Sequence, residues 1–414
     1  MKTVMLLGGS NIQMSAARRL KQLGHRLILA DYTDNPPAAV LSDVHVKAST
    51  FDADACIRAA RAYRVEAVLT MGTDQPVYTA ALVAQALGLP SPITVASAYR
   101  ATNKRAMKEA FVRGGVPCVP FAFLHAGQGP EALSALQPPL VLKPLDSQGQ
   151  RGIFRVDTPE EAIAHLSETL SFSRAQEALV ERYYPSDELT YSCFVWDGVV
   201  HPLTLTDRQL VDDPVHIGVC AAHRFPSVYA DREPEMRSIA EAVAQSLGVR
   251  AGALYIQFLL GDEGVVVNEV ACRIGGAFED FFIPYVSGFD LLDAVIRLAL
   301  GEAPDLSKLH RAESAQVSVQ MLFCRPAKIA CMTPIEVLRG LPGVLTAGYN
   351  YKIGDELPLL QNATARFGYC VLATRRGDID RLVREMYATI RVADANGNNL
   401  IIPRTYDGSE KPNA

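Results

Sequence analysis

The alternation in the first ninety residues restricts the fold more than any other feature of this chain. Thr3–Leu7 is a short apolar run, followed by the turn Gly8-Gly9-Ser10-Asn11 and an amphipathic stretch over 12–23 that Gly24 closes. A second apolar run over 26–30 ends at Asp31. A helical stretch over 55–63, an apolar run over 67–71 and a helix over 79–87, stopped by Gly88 and Pro90, complete the series. Strands that alternate with helices across short turns predict a parallel sheet covered on both faces. Gly8-Gly9 with Asp31 faintly resembles a dinucleotide fingerprint, but the third glycine is missing, which leaves a tight turn as the better reading. The chain contains no Gly-Lys pair, so a Walker A loop is excluded.

Beyond residue 100 the pattern stays mixed but loses its regularity. Thr102 or Asn103 can cap a helix with Met107, Ala110 and Phe111 on one face, ended by Gly114-Gly115 and Pro117. Strands are expected over 140–143, 178–184, 189–196 and 199–206, the last two joined at Asp197-Gly198. A further hairpin is expected over 254–260 and 265–270, and a helix over 289–300 between Asp290 and Gly301. A boundary falls at 301–309, near Pro304. Strands over 316–323 and 367–373 and a helix over 379–390 follow, and the polar tail after Pro403 should fray.

Composition narrows the function. A length of 414 residues suggests two or three domains, at about 150 residues each. With 49% hydrophobic and 21% charged residues, a packed core is expected rather than disorder. The net charge of −5 supplies no basic surplus for a nucleic acid. No apolar run approaches the roughly 18 residues of a membrane span. The eight cysteines are scattered without a C-x-x-C, which argues against zinc or a disulfide framework and for a reducing, cytoplasmic setting. His25, His45, His165 and His310 are expected at the surface, and Trp196 and Phe281-Phe282 in packing.

Chemistry concentrates in a few segments. Pro139-Leu140-Val141-Leu142-Lys143-Pro144 ends an apolar strand on a lysine, whose buried stem is favourable only if the ammonium meets an anion or water. The loop that follows, with Ser147, Gly149, Gln150 and Gly152, offers backbone N–H groups that can fold over phosphates. Val180-Glu181-Arg182-Tyr183-Tyr184, with Glu188 downstream, offers backbone groups to a planar base and a carboxylate to a ribose diol. In the hairpin, Gln257 and Glu269 can lie side by side, as oxygen ligands for Mg²⁺. Arg273 stands just past the second strand, where a guanidinium can meet developing negative charge.

Taken in order, these segments resemble the ATP-grasp superfamily over roughly residues 1–300. Asn103-Lys104, the Val-Leu-Lys-Pro strand and its glycine loop, the Val-Glu-x-Tyr hinge with Glu188, and Asn268-Glu269-Val270-Ala271-Cys272-Arg273-Ile274-Gly275-Gly276 carry the likeness. The stretch from Arg273 to Leu292 and the run Ala222-His223-Arg224-Phe225-Pro226-Ser227 look like the L-amino-acid ligases, while Asn268-Glu269-Val270-Ala271-x-Arg273 is also similar to purine-pathway carboxylate-amine ligases.

The resemblance implies a Rossmann-like pre-ATP-grasp domain over 1–100, an ATP-grasp fold of two α+β subdomains over 101–304 with a lid at about 118–186, and a C-terminal α+β domain over 305–414. It implies an ATP-dependent ligase that joins a carboxylate to an amine, amino acids among them, through an acyl phosphate. Lys104 and Lys143 would contact phosphates under a lid of 147–152, Glu181 and the backbone of 182–184 would hold adenine, and Glu188 the ribose. Glu269 and Gln257 would hold Mg²⁺ or Mn²⁺, while Arg273, His223 and the Gly276 N–H would stabilise charge. Family habit implies a homodimer. Two departures stand out. Gln257 replaces the usual first metal carboxylate, which leaves open a nucleotide-binding protein with impaired ligase activity. Cys220 replaces an acid suited to a substrate amine, a role that Asp212 or Asp213 could take over. A ligase of a nucleotide-precursor or specialised-metabolite pathway is the alternative within the same fold.

Overall fold

The computed structural model describes residues 1–147, 149–211, 218–309 and 315–403. Asp212, Asp213, His310 and the tail from Arg404 onward lie outside the described residues.

The N-terminal alternation folds as expected. Val44–Lys47, Arg26–Asp31, Thr3–Leu7 and Ala67–Leu69 lie side by side in one parallel sheet. Val44–Lys47 is not expected from the sequence: Val44 and Val46 alternate with His45 and Lys47, but over four residues only. The first turn is tight, because the Gly9 N–H donates to Asp31 Oδ2 at 2.8 Å. Asp31 therefore serves the turn.

A second sheet of four antiparallel strands follows, in the order Phe121–His125, Glu177–Arg182, Leu140–Pro144, Phe154–Val156. The helix Pro159–Ser171 covers one face, with Thr158 Oγ1 capping the Glu161 N–H at 3.2 Å. Leu140, Leu142, Val156, Ala162, Leu166 and Val180 form its separate small core, so this unit is packed within itself. The strand into the hinge stops at Arg182, two residues earlier than expected: the Tyr183 N–H still donates in register to the Pro139 carbonyl, but a proline has no N–H to return the bond.

The largest sheet has eight strands: Gly264–Ala271, Gly252–Gly261, Asp187–Trp196, Val199–Leu210, Cys220–Phe225, Gln316–Leu322, Gly368–Thr374 and Val344–Tyr349. Asp197 and Gly198 both have positive φ, +49° and +80°, as a two-residue hairpin turn requires. The sheet runs on across residues 301–309, because Gln316–Leu322 pairs with Cys220–Phe225. The C-terminal strands thus extend the platform that carries the hairpin. The helix Glu233–Leu247 packs under one side, with Met236, Ala240, Val243 and Leu247 buried at helical spacing. No helix among the described residues is long and apolar enough to cross a membrane. His25, His45 and His165 prove half-buried rather than exposed, His165 stacking on Phe154 with ring centres 4.3 Å apart.

Candidate functional site

The helix Lys104–Gly114 presents Lys104 and Lys108 to the small sheet. Asn103 Oδ1 accepts from the Ala106 N–H at 3.0 Å and fixes the first turn, while Gly115 ends the helix at φ +67°. Lys108 is 1% exposed and pairs with Glu181 at 2.6 Å. Lys143, at the end of its strand, reaches the other Glu181 oxygen at 2.5 Å and donates to Asn268 Oδ1 at 2.8 Å. Lys104 pairs with Glu269 at 2.9 Å and donates to the Ser147 carbonyl at 3.3 Å. Two ammonium groups from separate segments thus converge on neighbouring residues of the hairpin, at the foot of the glycine loop. Burial works against the Lys104 charge, but Glu269, with Asp74 and Glu181, more than offsets it and holds the group charged.

Glu181 is itself buried. Burial pushes its carboxyl up, but the two lysines outweigh that and bring it to about 2. Its carboxylate is the shared counter-ion of Lys108 and Lys143. The hinge backbone is also partly committed, since the Arg182 and Tyr183 N–H groups donate to the Pro120 and Pro139 carbonyls at 3.0 and 2.8 Å. Arg182 Nη2 meets Glu263 at 2.7 Å and the Tyr184 hydroxyl donates to the Gly264 carbonyl at 2.8 Å, which clasps the hinge to the hairpin turn.

The loop over the lysines has the backbone that phosphate cradling needs: Gly149, Gln150 and Gly152 all have positive φ, +73°, +59° and +69°. At Gly152 a Cβ would strike the Phe172 ring at 2.7 Å. The buried Ser147 hydroxyl has no hydrogen-bond partner among the described residues.

Gln257 and Glu269 stand opposite each other across the hairpin, with a register shift just past Gln257. Asn268 Nδ2 lies 3.4 Å from Gln257 Oε1. Glu269 is pushed up by burial, but Lys104, Lys143 and Arg273 hold it below the ordinary glutamate range, ready as an oxygen donor. Among the described residues no group of three or more His, Cys, Asp or Glu side chains gathers round one point. This donor set, one carboxylate with two amide oxygens, suits a hard cation that also takes oxygens from a bound phosphate.

Further along, Arg273 contacts Asp74 through Nε at 2.9 Å and Nη2 at 2.5 Å, and its guanidinium lies 4.9 Å from the centre of the Tyr255 ring. Arg208, 3% exposed, donates to Glu188 at 3.0 Å and to the Tyr255 hydroxyl at 3.0 Å. Glu188, expected at a ribose, therefore also holds this guanidinium. His223 is buried with Nδ1 3.2 Å from Thr206 Oγ1. Burial, then Arg208 and Arg366, drive its pKa well below the usual value, which favours the neutral imidazole.

At Gly276 a Cβ would sit 3.3 Å from the Gly72 carbonyl, and the Gly276 N–H has no hydrogen-bond partner among the described residues. At Gly275 a Cβ would lie 2.0 Å from Glu279 Oε1, because the buried Glu279 folds back to accept from the Ala277 N–H at 3.0 Å. Gly275→Ala is expected to cost about 1–3 kcal/mol of stability by displacing that carboxylate, read by urea unfolding.

Sequence reasoning passed over Lys108, Asp74, Arg208, Tyr255 as a ring platform, Glu279 and Arg366. Only Lys108 carried a signal: it lies four residues after Lys104 and three before the buried Phe111, a lysine on an apolar helix face. Phe281 lines a cleft of about 280 Å³ with Met14, Arg18, Arg339 and Tyr369.

Comparison with known proteins agrees with this geometry. The pattern of the ATP-grasp domain matches residues 101–277. The chain is 24% identical over 321 residues to uncharacterized protein y4rH of Sinorhizobium fredii, covering 75% of this chain and 65% of that protein, just short of two thirds of its length. It is 22% identical over 390 residues to dapdiamide A synthase of Enterobacter agglomerans, covering 89% and 88% of the two chains. Among solved structures, the L-amino acid ligase of Bacillus licheniformis superposes with a TM-score of 0.80 at 16% identity, over 95% of this chain and 98% of that one. Residues 101–277, which carry the lysine pair, the glycine loop and the Gln257–Glu269 hairpin, form an ATP-grasp domain.

Proposed function

We propose that the protein is an ATP-dependent ligase that joins a carboxylate to an amine through an acyl phosphate, with amino acids or amino-acid-like acids among its substrates. The observation that carries this reading is the convergence of Lys104 on Glu269 and Lys143 on Asn268 beneath the glycine loop. Two fixed cations there suit the β- and γ-phosphates of ATP, and the N–H groups of 149–152 close over them.

In the first step, a carboxylate oxygen of the donor attacks the γ-phosphorus, and the bond to the β,γ-bridging oxygen breaks, releasing ADP. In the second, the amine nitrogen attacks the acyl carbon, the bond to the phosphate oxygen breaks, and the amine gives up a proton as the amide forms. Both steps crowd negative charge, which Arg273 and the Gly276 N–H are placed to receive. Neutral His223 contributes a hydrogen bond and no charge. Mg²⁺, or Mn²⁺ in its place, would be held by Glu269 with Gln257 and Asn268 beside it, and would screen the charge of the triphosphate. A homodimer is part of the same reading, by the habit of the superfamily.

Release of ADP measured against an array of carboxylate and amine pairs tests the proposal. Turnover stimulated by no pair would leave the second reading, a nucleotide-binding protein without ligase activity, which the neutral Gln257 favours. Gln257→Glu separates these further. Restoring the carboxylate is expected to lower the Mg²⁺ concentration for half-maximal activity by roughly tenfold, read from metal titrations.

A further inference from the structure

Three guanidinium groups gather behind the reactive loop, and they are not equivalently paired. Arg208 has Glu188 and Arg273 has Asp74. Arg366 has no hydrogen-bonding or ion-pair partner for its side chain among the described residues, and its Nε is buried. Its backbone is nevertheless held. The Arg366 N–H donates to the Ala363 carbonyl at 3.3 Å, and its carbonyl accepts from Asn350 Nδ2 at 2.9 Å.

The sheet register says where this side chain is delivered. Ala222 pairs with Gln320, and Leu322 pairs with Gly368, so Cys220 and Gly368 lie at the same end of the sheet. Arg366 comes off that end two residues before Gly368. Its charge acts on Cys220, Arg208, Tyr255 and Glu279, and it is one of the cations that keep His223 neutral. Glu279 attracts this charge without pairing with it: one of its oxygens accepts from the Ala277 N–H, and no ion pair joins it to Arg366 among the described residues.

A guanidinium stays charged when buried, and a second one beside it raises the cost of leaving it without an anion. A free ammonium group on a substrate would be repelled at this spot, and the residue facing it, Cys220, offers no carboxylate to anchor one. We propose that Arg366, with Arg208 behind it, receives an anionic group on the acyl donor, so that the acid activated by this protein carries a second carboxylate in place of a free α-ammonium group. The inference rests on the ligase reading and specifies its donor.

The test uses the full chain, with calorimetric titration of succinate, glutarate and adipate as dianions, butyrate as a monoanion and 4-aminobutyrate as a zwitterion. At least one dianion is expected to bind about tenfold or more tighter than butyrate and 4-aminobutyrate. Arg366→Ala should erase that preference while leaving butyrate and ATP binding unchanged, and Arg366→Lys should restore part of it. In ADP-release assays the donor KM should rise in Arg366→Ala with little change in kcat. Dianion affinity indifferent to Arg366→Ala, or 4-aminobutyrate binding as tightly as the best dianion, would overturn the proposal. Because binding is read without turnover, an Arg366-dependent dianion site in a chain that releases no ADP would sink the ligase reading alone.

Discussion

Glu269→Gln is expected to lower kcat/KM by about a thousandfold, with the fold intact. Three cations, Lys104, Lys143 and Arg273, act on this carboxylate, which is the sole charged oxygen donor of the Gln257–Asn268–Glu269 group. An amide keeps an oxygen for Lys104 Nζ, now 2.9 Å away, but removes the negative charge that opposes a dication and aligns the ammonium. The loss should fall on turnover and on the metal requirement together. Steady-state ADP release across a Mg²⁺ series, beside circular dichroism of the variant, checks it. A variant retaining a tenth or more of wild-type turnover would remove Glu269 from the reaction.

Glu181→Gln should destabilise the domain by about 3–5 kcal/mol, because it leaves the buried Lys108 ammonium without a carboxylate and takes one from the half-buried Lys143, which keeps Asn268. Glu181 is 2% exposed, and Lys108 Nζ at 2.6 Å has no other carboxylate partner among the described residues. Adding Lys108→Met to Glu181→Gln should recover part of the loss, since the stranded Lys108 charge is then gone. The same ion triad sets an acid limit. With its pKa brought from 4.5 to about 2 on folding, Glu181 contributes stability that is complete above pH 4.5 and is lost as pH falls toward 2. Urea unfolding from pH 6 down to pH 2.5 should show that decline in the wild type and a shallower one in Glu181→Gln. Equal slopes would place the depressed carboxyl elsewhere.

Much of this site is legible locally. A lysine that ends an apolar strand, a glycine loop after it, and a hairpin with facing Gln257 and Glu269 each depend on residues a few positions apart, where propensity and turn geometry operate. The helix from Lys104 follows from Asn103 and Gly115 in the same way. The partners are another matter. Arg273 and Asp74 are 199 residues apart, and Lys143 and Asn268 125. The sequence neighbours of Glu181 are polar and aromatic, and nothing nearby in the chain announces that Lys108 and Lys143 will enclose it.

The sequence by itself therefore determined the alternating N-terminal layer, the order of the lysine strand, the glycine loop and the Gln257–Glu269 hairpin, and the residue types presented at each. The tertiary structure alone decided which charges meet: that Glu181 serves two lysines, that Glu188 and Asp74 are shared with arginines, that His223 is buried beside Arg208, and that the strands after residue 315 continue the sheet that carries the hairpin and bring Arg366 to it. The physical reason is one of range. Local backbone preference acts over a few residues, whereas the pairing and burial of charges depend on which distant segments the strand order places side by side.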